Sequence, residues 1–195
     1  AGTILEGERG VLKAFADNSD ARSLVKDLGK FELGIEYKRY ACARPIHNAV
    51  DCALELRSNL VDQLDQIEEI IIWRHPSWAH YHQIPNPKSI HEAQMSLNHA
   101  VAVALVEGDA FLDEFSYEWI NNKQVNKLSN LLQFKVDDNL KRGVSCRLQI
   151  KLKSGKLLES TIDYPKGSIK NPMTKEDHWI KFQKLAKGKL TEKDM

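Results

Sequence analysis

The chain has 195 residues, enough for one sizeable domain or one domain with appendages. Its 42% hydrophobic and 28% charged residues are ordinary for a globular protein, and 28 Lys and Arg against 27 Asp and Glu leave a net charge of +1. That balance argues against a dedicated nucleic-acid binder, and no apolar run approaches the roughly 18 residues that span a bilayer. Three cysteines, at 42, 52 and 146, suggest neither a disulfide framework nor a zinc-type pair, so a reducing, cytoplasmic compartment is expected. The N-terminus has no initiator Met and no secretory pattern; the chain is expected to be processed or to be a piece of a longer one.

In chain order, Gly10 to Ala16 reads as a short helix. A second follows, capped at Ser19 or Asp20 and stopped by Gly29. Alternation at Ile35, Tyr37 and Arg39 predicts a strand. Pro45 then opens an amphipathic helix with apolar residues at 46, 49, 50, 53, 54 and 56. "IEEIIIWR" predicts a central strand, and "HPSWAHYHQIPNPKS" a loop. One helix is expected from Ser89, its cap with Glu92 in a capping box, to Gly108. "NKQVNKLSNLLQFKV" starts helical and turns to strand near Gln133. Val144 to Leu152 alternates, Ser154-Gly155 turns, and a second strand completes a hairpin. The last helix is capped by Thr174, with Asp177 at the third position. The expected fold class is α+β: a small mixed or antiparallel sheet with helices packed on one face, plus terminal helices.

Three clusters offer chemistry. The first is "YKRYACARPIHNAVD", where Lys38, Arg39 and Arg44 surround a strand-to-helix turn. Cations and helix-start donors suit a carboxylate or phosphate, and His47 in the first turn is disposed to stay neutral. A solvated turn with a capping-region histidine accounts for the same residues. Cys42 is flanked by cations that lower a thiol's pKa, but no partner base accompanies it. The second is "EAQMSLNHAVA": Ser96 and His99 share a helix face, with Gln94 one turn earlier. It reads either as a helix meeting a cavity or as one crossing from surface to core with His99 hydrogen-bonded at the boundary. The third is His75, His80 and His82, a metal set without a carboxylate or Cys, or an ordered loop lining a cleft.

The ordered set of stretches resembles the MmgE/PrpD family, which holds 2-methylcitrate dehydratases, cis-aconitate decarboxylases and iminodisuccinate epimerases. "KRYACARPIHNAVD" is similar to the K-x-[YF]-P-x-C-x-x-x-H-x-x-x-D-like segment of the family's lid, with Ala41 where Pro is usual. "EAQMSLNHAVAVAL" is similar to its A-Q-[FM]-S-[LI]-x-[YH]-x-x-A helix, and "PKGSIKNPMTKEDHWIKFQKLA" to its P-x-G-x-x-x-N-P stretch followed by K-F.

The resemblance implies the C-terminal half of such an enzyme. Residues 1–28 would end a helical domain, 29–167 would form an α+β lid, and 168–195 would return to the helical domain. It implies proton abstraction beside a carboxylate of a small di- or tricarboxylic acid, with loss of water, as in propionate metabolism. It implies no metal and no organic cofactor. Lys38 matches a lid lysine that binds substrate carboxylate, and His99 falls where some members place an active-site Tyr; Gln94, Ser96 and His47 match positions near the cleft. Catalytic roles are therefore expected of His99, His47 and Lys38. Substrate binding is expected of Lys38, Gln94 and Ser96, and, from their charge alone, of Arg39 and Arg44. Expected partners are a carboxylate substrate, an N-terminal helical domain and a second copy of the chain; no nucleic acid or membrane is expected. Ala43 stands where the decarboxylases present a histidine, which argues against decarboxylation. An epimerase-like isomerase and a truncated, non-catalytic binding or dimerisation module are the alternatives.

Overall fold

Four isoleucines in eight residues make β1 (Ile67–Arg74) the strand that the rest of the fold is built on. The computed structural model describes residues 10–15, 34–141 and 144–190, with the single positions 4, 7 and 29. The chain divides into two compact units, residues 1–35 and 36–195. In the first, α1 (Val11–Phe15) matches the expected first helix, and its entry is fixed by a bond from the Val11 N–H to the Ile4 carbonyl, 3.0 Å. The helix expected to end at Gly29 lies outside the described residues.

The second unit is an α+β fold around a four-stranded open sheet of order β2-β1-β3-β4, with β2 (Leu132–Val136), β3 (Cys146–Leu152) and β4 (Leu157–Ile162). It is mixed: β1 runs parallel to β2 and antiparallel to β3, and β3 and β4 form the expected hairpin. Register puts Leu132, Ile70, Ile150 and Leu158 in one row across the sheet, and Phe134, Ile72, Leu148 and Ser160 in the next. These rows lie on the packed face, where burying apolar area supplies the driving force. The other face shows how a solvated sheet protects an aromatic. Lys135 and Arg147, the register partners of Trp73, both lie over its ring, at 5.2 and 4.8 Å.

Helix α2 (His47–Arg57) packs on β3 and β4, and α4 (Leu97–Glu107) packs between α2 and α6 (Lys123–Leu131). Nine of the eleven residues of α4 are buried, so it is a core helix without an exposed face. Gly108 closes α4 with φ 90°, a conformation that only glycine adopts freely. A short α5 (Tyr117–Ile120) leads into α6, and α7 (Lys175–Ala186) begins with a complete Thr174–Asp177 capping box.

Two expectations are corrected. Residues 34–39 do not form a strand and pair with no sheet among the described residues, and Ile35 and Tyr37 are exposed. Alternation there had no neighbouring strand edge to satisfy it. The helix expected from Ser89 to Gly108 is two, α3 (Ile90–Met95) and α4, broken at Ser96 with ψ 116°. Ser89 does cap α3, but the Glu92 carboxylate takes the Lys88 N–H at 2.6 Å, one residue before the position a capping box would use.

Candidate functional site

The basic stretch is held by three backbone bonds to three distant segments. Tyr37 N–H donates to the Gly167 carbonyl at 2.8 Å, Ala41 to Ala110 at 3.0 Å and Ala43 to Gln94 at 2.9 Å. Each strap satisfies a donor that has no sheet partner. Pro45 sits in a 3-10 turn, Arg44–Ile46, which runs straight into α2. Below it lies Arg74, 1% exposed, which donates to the Pro45 carbonyl at 3.2 Å and the Tyr81 carbonyl at 3.0 Å. Among the described residues this buried guanidinium is bonded to carbonyls alone, and burial lowers its pKa.

His47 is fully buried behind the turn. Its Nε2 is 3.4 Å from the Cys42 carbonyl, its ring meets Tyr40 edge-on at 5.1 Å, and its Nδ1 has no partner among the described residues. Burial first, then the charges of Arg44, Lys38 and Lys181, push its pKa down to about 3, so it is a neutral base. Lys181 reaches the turn itself, where its Nζ donates to the Lys38 carbonyl. Cys42 departs from the sequence reading: burial drives the thiol up to about 12 and outweighs Lys38 and Arg44, so it is inert. Tyr40 donates to Asp51, which also accepts the Lys166 N–H at 2.7 Å. Burial raises the pKa of both side chains.

The cations of the turn point differently. Lys38 is exposed, and its carbonyl accepts from Lys181 Nζ. Arg44 pairs with Glu36 at 3.0 Å. Arg39 lies over the Tyr40 ring and reaches Asp177 with one contact of 3.5 Å. It also borders two neighbouring cavities of 140 and 310 Å³, which have Leu54 in common as well.

The Gln94–His99 segment meets the turn through backbone only, at Gln94 O. Ser96 is the N-cap of α4: its Oγ accepts from His99 N–H at 2.9 Å and donates to the Ile84 carbonyl at 2.6 Å. The three-residue spacing is thus a cap and its third helical position. His99, 1% exposed, places Nε2 2.9 Å from the Glu114 carbonyl and packs on Phe115; its Nδ1 has no partner among the described residues. Burial lowers its pKa, so it too is neutral. Ser96 and His99 therefore lie in the core, whereas Lys38, Arg39 and Arg44 lie at the surface.

His75 accepts from Ser77 N–H, His80 is exposed, and His82, with φ 68°, sets Nδ1 2.9 Å from the Met95 carbonyl. Among the described residues no group of three His, Cys, Asp or Glu side chains is placed to hold a metal ion, and the His82–Met95 contact ties this loop to the end of α3. No described helix is long and apolar enough to cross a membrane. Sequence reasoning missed Arg74, Lys166, Asp177 and Lys181. A signal existed for two of them: Asp177, Lys181 and Lys184 recur at helical spacing on one side of α7.

Comparison with known proteins gives the same frame. Residues 40–195 match the MmgE/PrpD C-terminal domain. Human cis-aconitate decarboxylase is 27% identical over 165 residues, covering 80% of this chain and 34% of that protein, and the mouse enzyme is 27% identical over the same length. An alkylcitrate dehydratase of Talaromyces stipitatus is 28% identical over 113 residues, 51% of this chain and 23% of that protein. The chain thus spans about a third or less of the length of these relatives. The chain belongs to the MmgE/PrpD family, and the α+β unit described above carries its C-terminal domain.

Proposed function

We propose that this chain is the C-terminal part of a lyase that dehydrates a small di- or tricarboxylic acid, in the manner of a 2-methylcitrate dehydratase. A base takes a proton from the carbon beside a carboxylate. The C–O bond to the neighbouring hydroxyl breaks, a carbon–carbon double bond forms, and the hydroxyl leaves as water after gaining a proton. The observation that carries this reading is the meeting of Lys38 and Lys181 on the basic turn that runs into buried His47, within a domain whose relatives are named for tricarboxylate chemistry. Cations are what the substrate carboxylates and the charge developing on deprotonation require. Lys38, exposed at the turn, holds a carboxylate. His47 and His99 are neutral and each keeps one ring nitrogen without a partner among the described residues, the atom that proton transfer needs. Ala43 favours dehydration over decarboxylation. A homodimer in the cytoplasm, with an N-terminal helical domain forming the opposite wall, belongs to the same proposal.

The test is turnover of 2-methylcitrate and citrate by the protein expressed from its complete reading frame, with wild type beside Lys38→Ala. The expected result is an unsaturated tricarboxylate, and a loss of about 100-fold in kcat/KM for the variant. Absence of turnover on any such acid sinks the reading; equal kcat/KM removes Lys38 from the site.

A further inference from the structure

Where α7 crosses residues 38–41, the charges do not balance locally. The 140 Å³ cavity is bordered by Arg39, Lys181 and Lys184 against two carboxylates, Asp109 and Asp177. Both carboxylates are engaged. Asp177 accepts Lys166 Nζ at 2.8 Å and both the N–H and Oγ1 of Thr174 at 2.8 Å. Although burial works the other way, these bonds hold it well below the usual carboxylate range. Asp109 is paired with Lys184, which also lies over the Phe111 ring at 5.7 Å. Two cations remain. Among the described residues Arg39 has only its long contact to Asp177 and the Tyr40 ring, and Lys181 donates to one carbonyl, that of Lys38. Leu54 and Ile180 supply an apolar wall beside them. Two neighbouring cations with spare donors in a half-enclosed space lack one ingredient, an anion.

We propose that Arg39 and Lys181 form a binding site for a small aliphatic carboxylate, held by the guanidinium fork with the lysine as second contact. At roughly 30 Å³ per water, the cavity has room for about five waters, which suits a two- to four-carbon acid. A larger acid extends into the 310 Å³ cavity on the other side of Arg39. The site shares Lys181 with the basic turn invoked above, but its geometry does not require the dehydration proposed there. Its carboxylate has two sources, the distal arm of a substrate or a separate small acid.

The experiment is calorimetric titration of the chain with succinate and acetate at two salt concentrations, for wild type, Arg39→Gln and Lys181→Gln. Saturable binding that weakens with salt is expected in the wild type, with a loss of about tenfold in Arg39→Gln and a smaller loss in Lys181→Gln. No saturable wild-type binding, or equal affinity in Arg39→Gln, overturns the site. Where Arg39→Gln fails to fold by circular dichroism, unchanged affinity in Lys181→Gln overturns it instead. The source is then read from turnover: a raised KM in Arg39→Gln identifies the substrate's distal arm, and an unchanged KM a separate acid. Failure of turnover in every variant would reject the dehydratase reading and leave the succinate titration to decide this one.

Discussion

A Cβ placed on Gly167 would lie 2.2 Å from the carbonyl oxygen of Tyr37. The same glycine has φ 92° and accepts the Tyr37 N–H at 2.8 Å. The two backbones touch, and the contact fixes where Lys38 and Arg39 follow Tyr37. Gly167→Ala combines a left-handed backbone with a clash against main chain, which cannot step aside as a side chain could. It is expected to cost about 2–4 kcal/mol. The readout is the urea midpoint, together with faster amide exchange at Tyr37 than at Ile72 in the core. An unchanged midpoint would show that the 167 turn gives way freely.

Acid should destabilise the fold from near neutrality downward. His47 has a folded pKa of about 3, against about 6.5 when unfolded. Below the unfolded value the unfolded chain binds a proton that the folded chain refuses, so stability is full above that pH and declines from there toward pH 3. His99 and His82 are shifted in the same direction, by burial. Asp177, with its lowered pKa, adds a loss at still lower pH, whereas Asp51, raised by burial, works in the opposite sense. Urea midpoints measured from pH 8 to pH 4 should fall, and His47→Gln should flatten that fall. An identical slope in the variant would mean that His47 is protonated in the folded protein.

Ser96→Ala removes one acceptor and one donor at the break between α3 and α4. His99 N–H loses its cap and the Ile84 carbonyl loses its bond, both in the interior. The expected loss is about 1–3 kcal/mol. Ser96→Thr, which keeps the hydroxyl, should recover part of it. Thermal unfolding of the two variants separates the cap from mere volume, since equal losses would assign the effect to packing.

Arg74→Ala strands the Pro45 and Tyr81 carbonyls and opens a cavity under the basic turn. It should destabilise the fold by about 2–5 kcal/mol, from two buried carbonyls left unpaired and the cavity left by the side chain. Arg74→Met fills the space and should lose less, because it leaves the smaller cavity. A methionine variant as unstable as the alanine one would show that the carbonyl bonds matter more than the volume.

Much of the fold was legible locally. The alternation of Cys146, Leu148, Ile150 and Leu152, the turn at Gly155, the stop at Gly108 and the Thr174–Asp177 box all depend on near neighbours, and period or capping chemistry reveals them. The K-x-x-x-C stretch likewise marked the basic turn, which the structure joins to the Gln94 segment through Ala43. The sequence by itself thus determined the elements, the family and the cation-rich turn. Tertiary structure alone decided the parallel pairing of β1 with β2, the break at Ser96, the burial of Arg74 and the inertness of Cys42. It also decided that Lys181, far along the chain, stands beside Lys38. The reason is physical: propensity and spacing act over a few residues, whereas desolvation, strand pairing and the field of neighbouring charges depend on groups up to 143 positions apart in sequence.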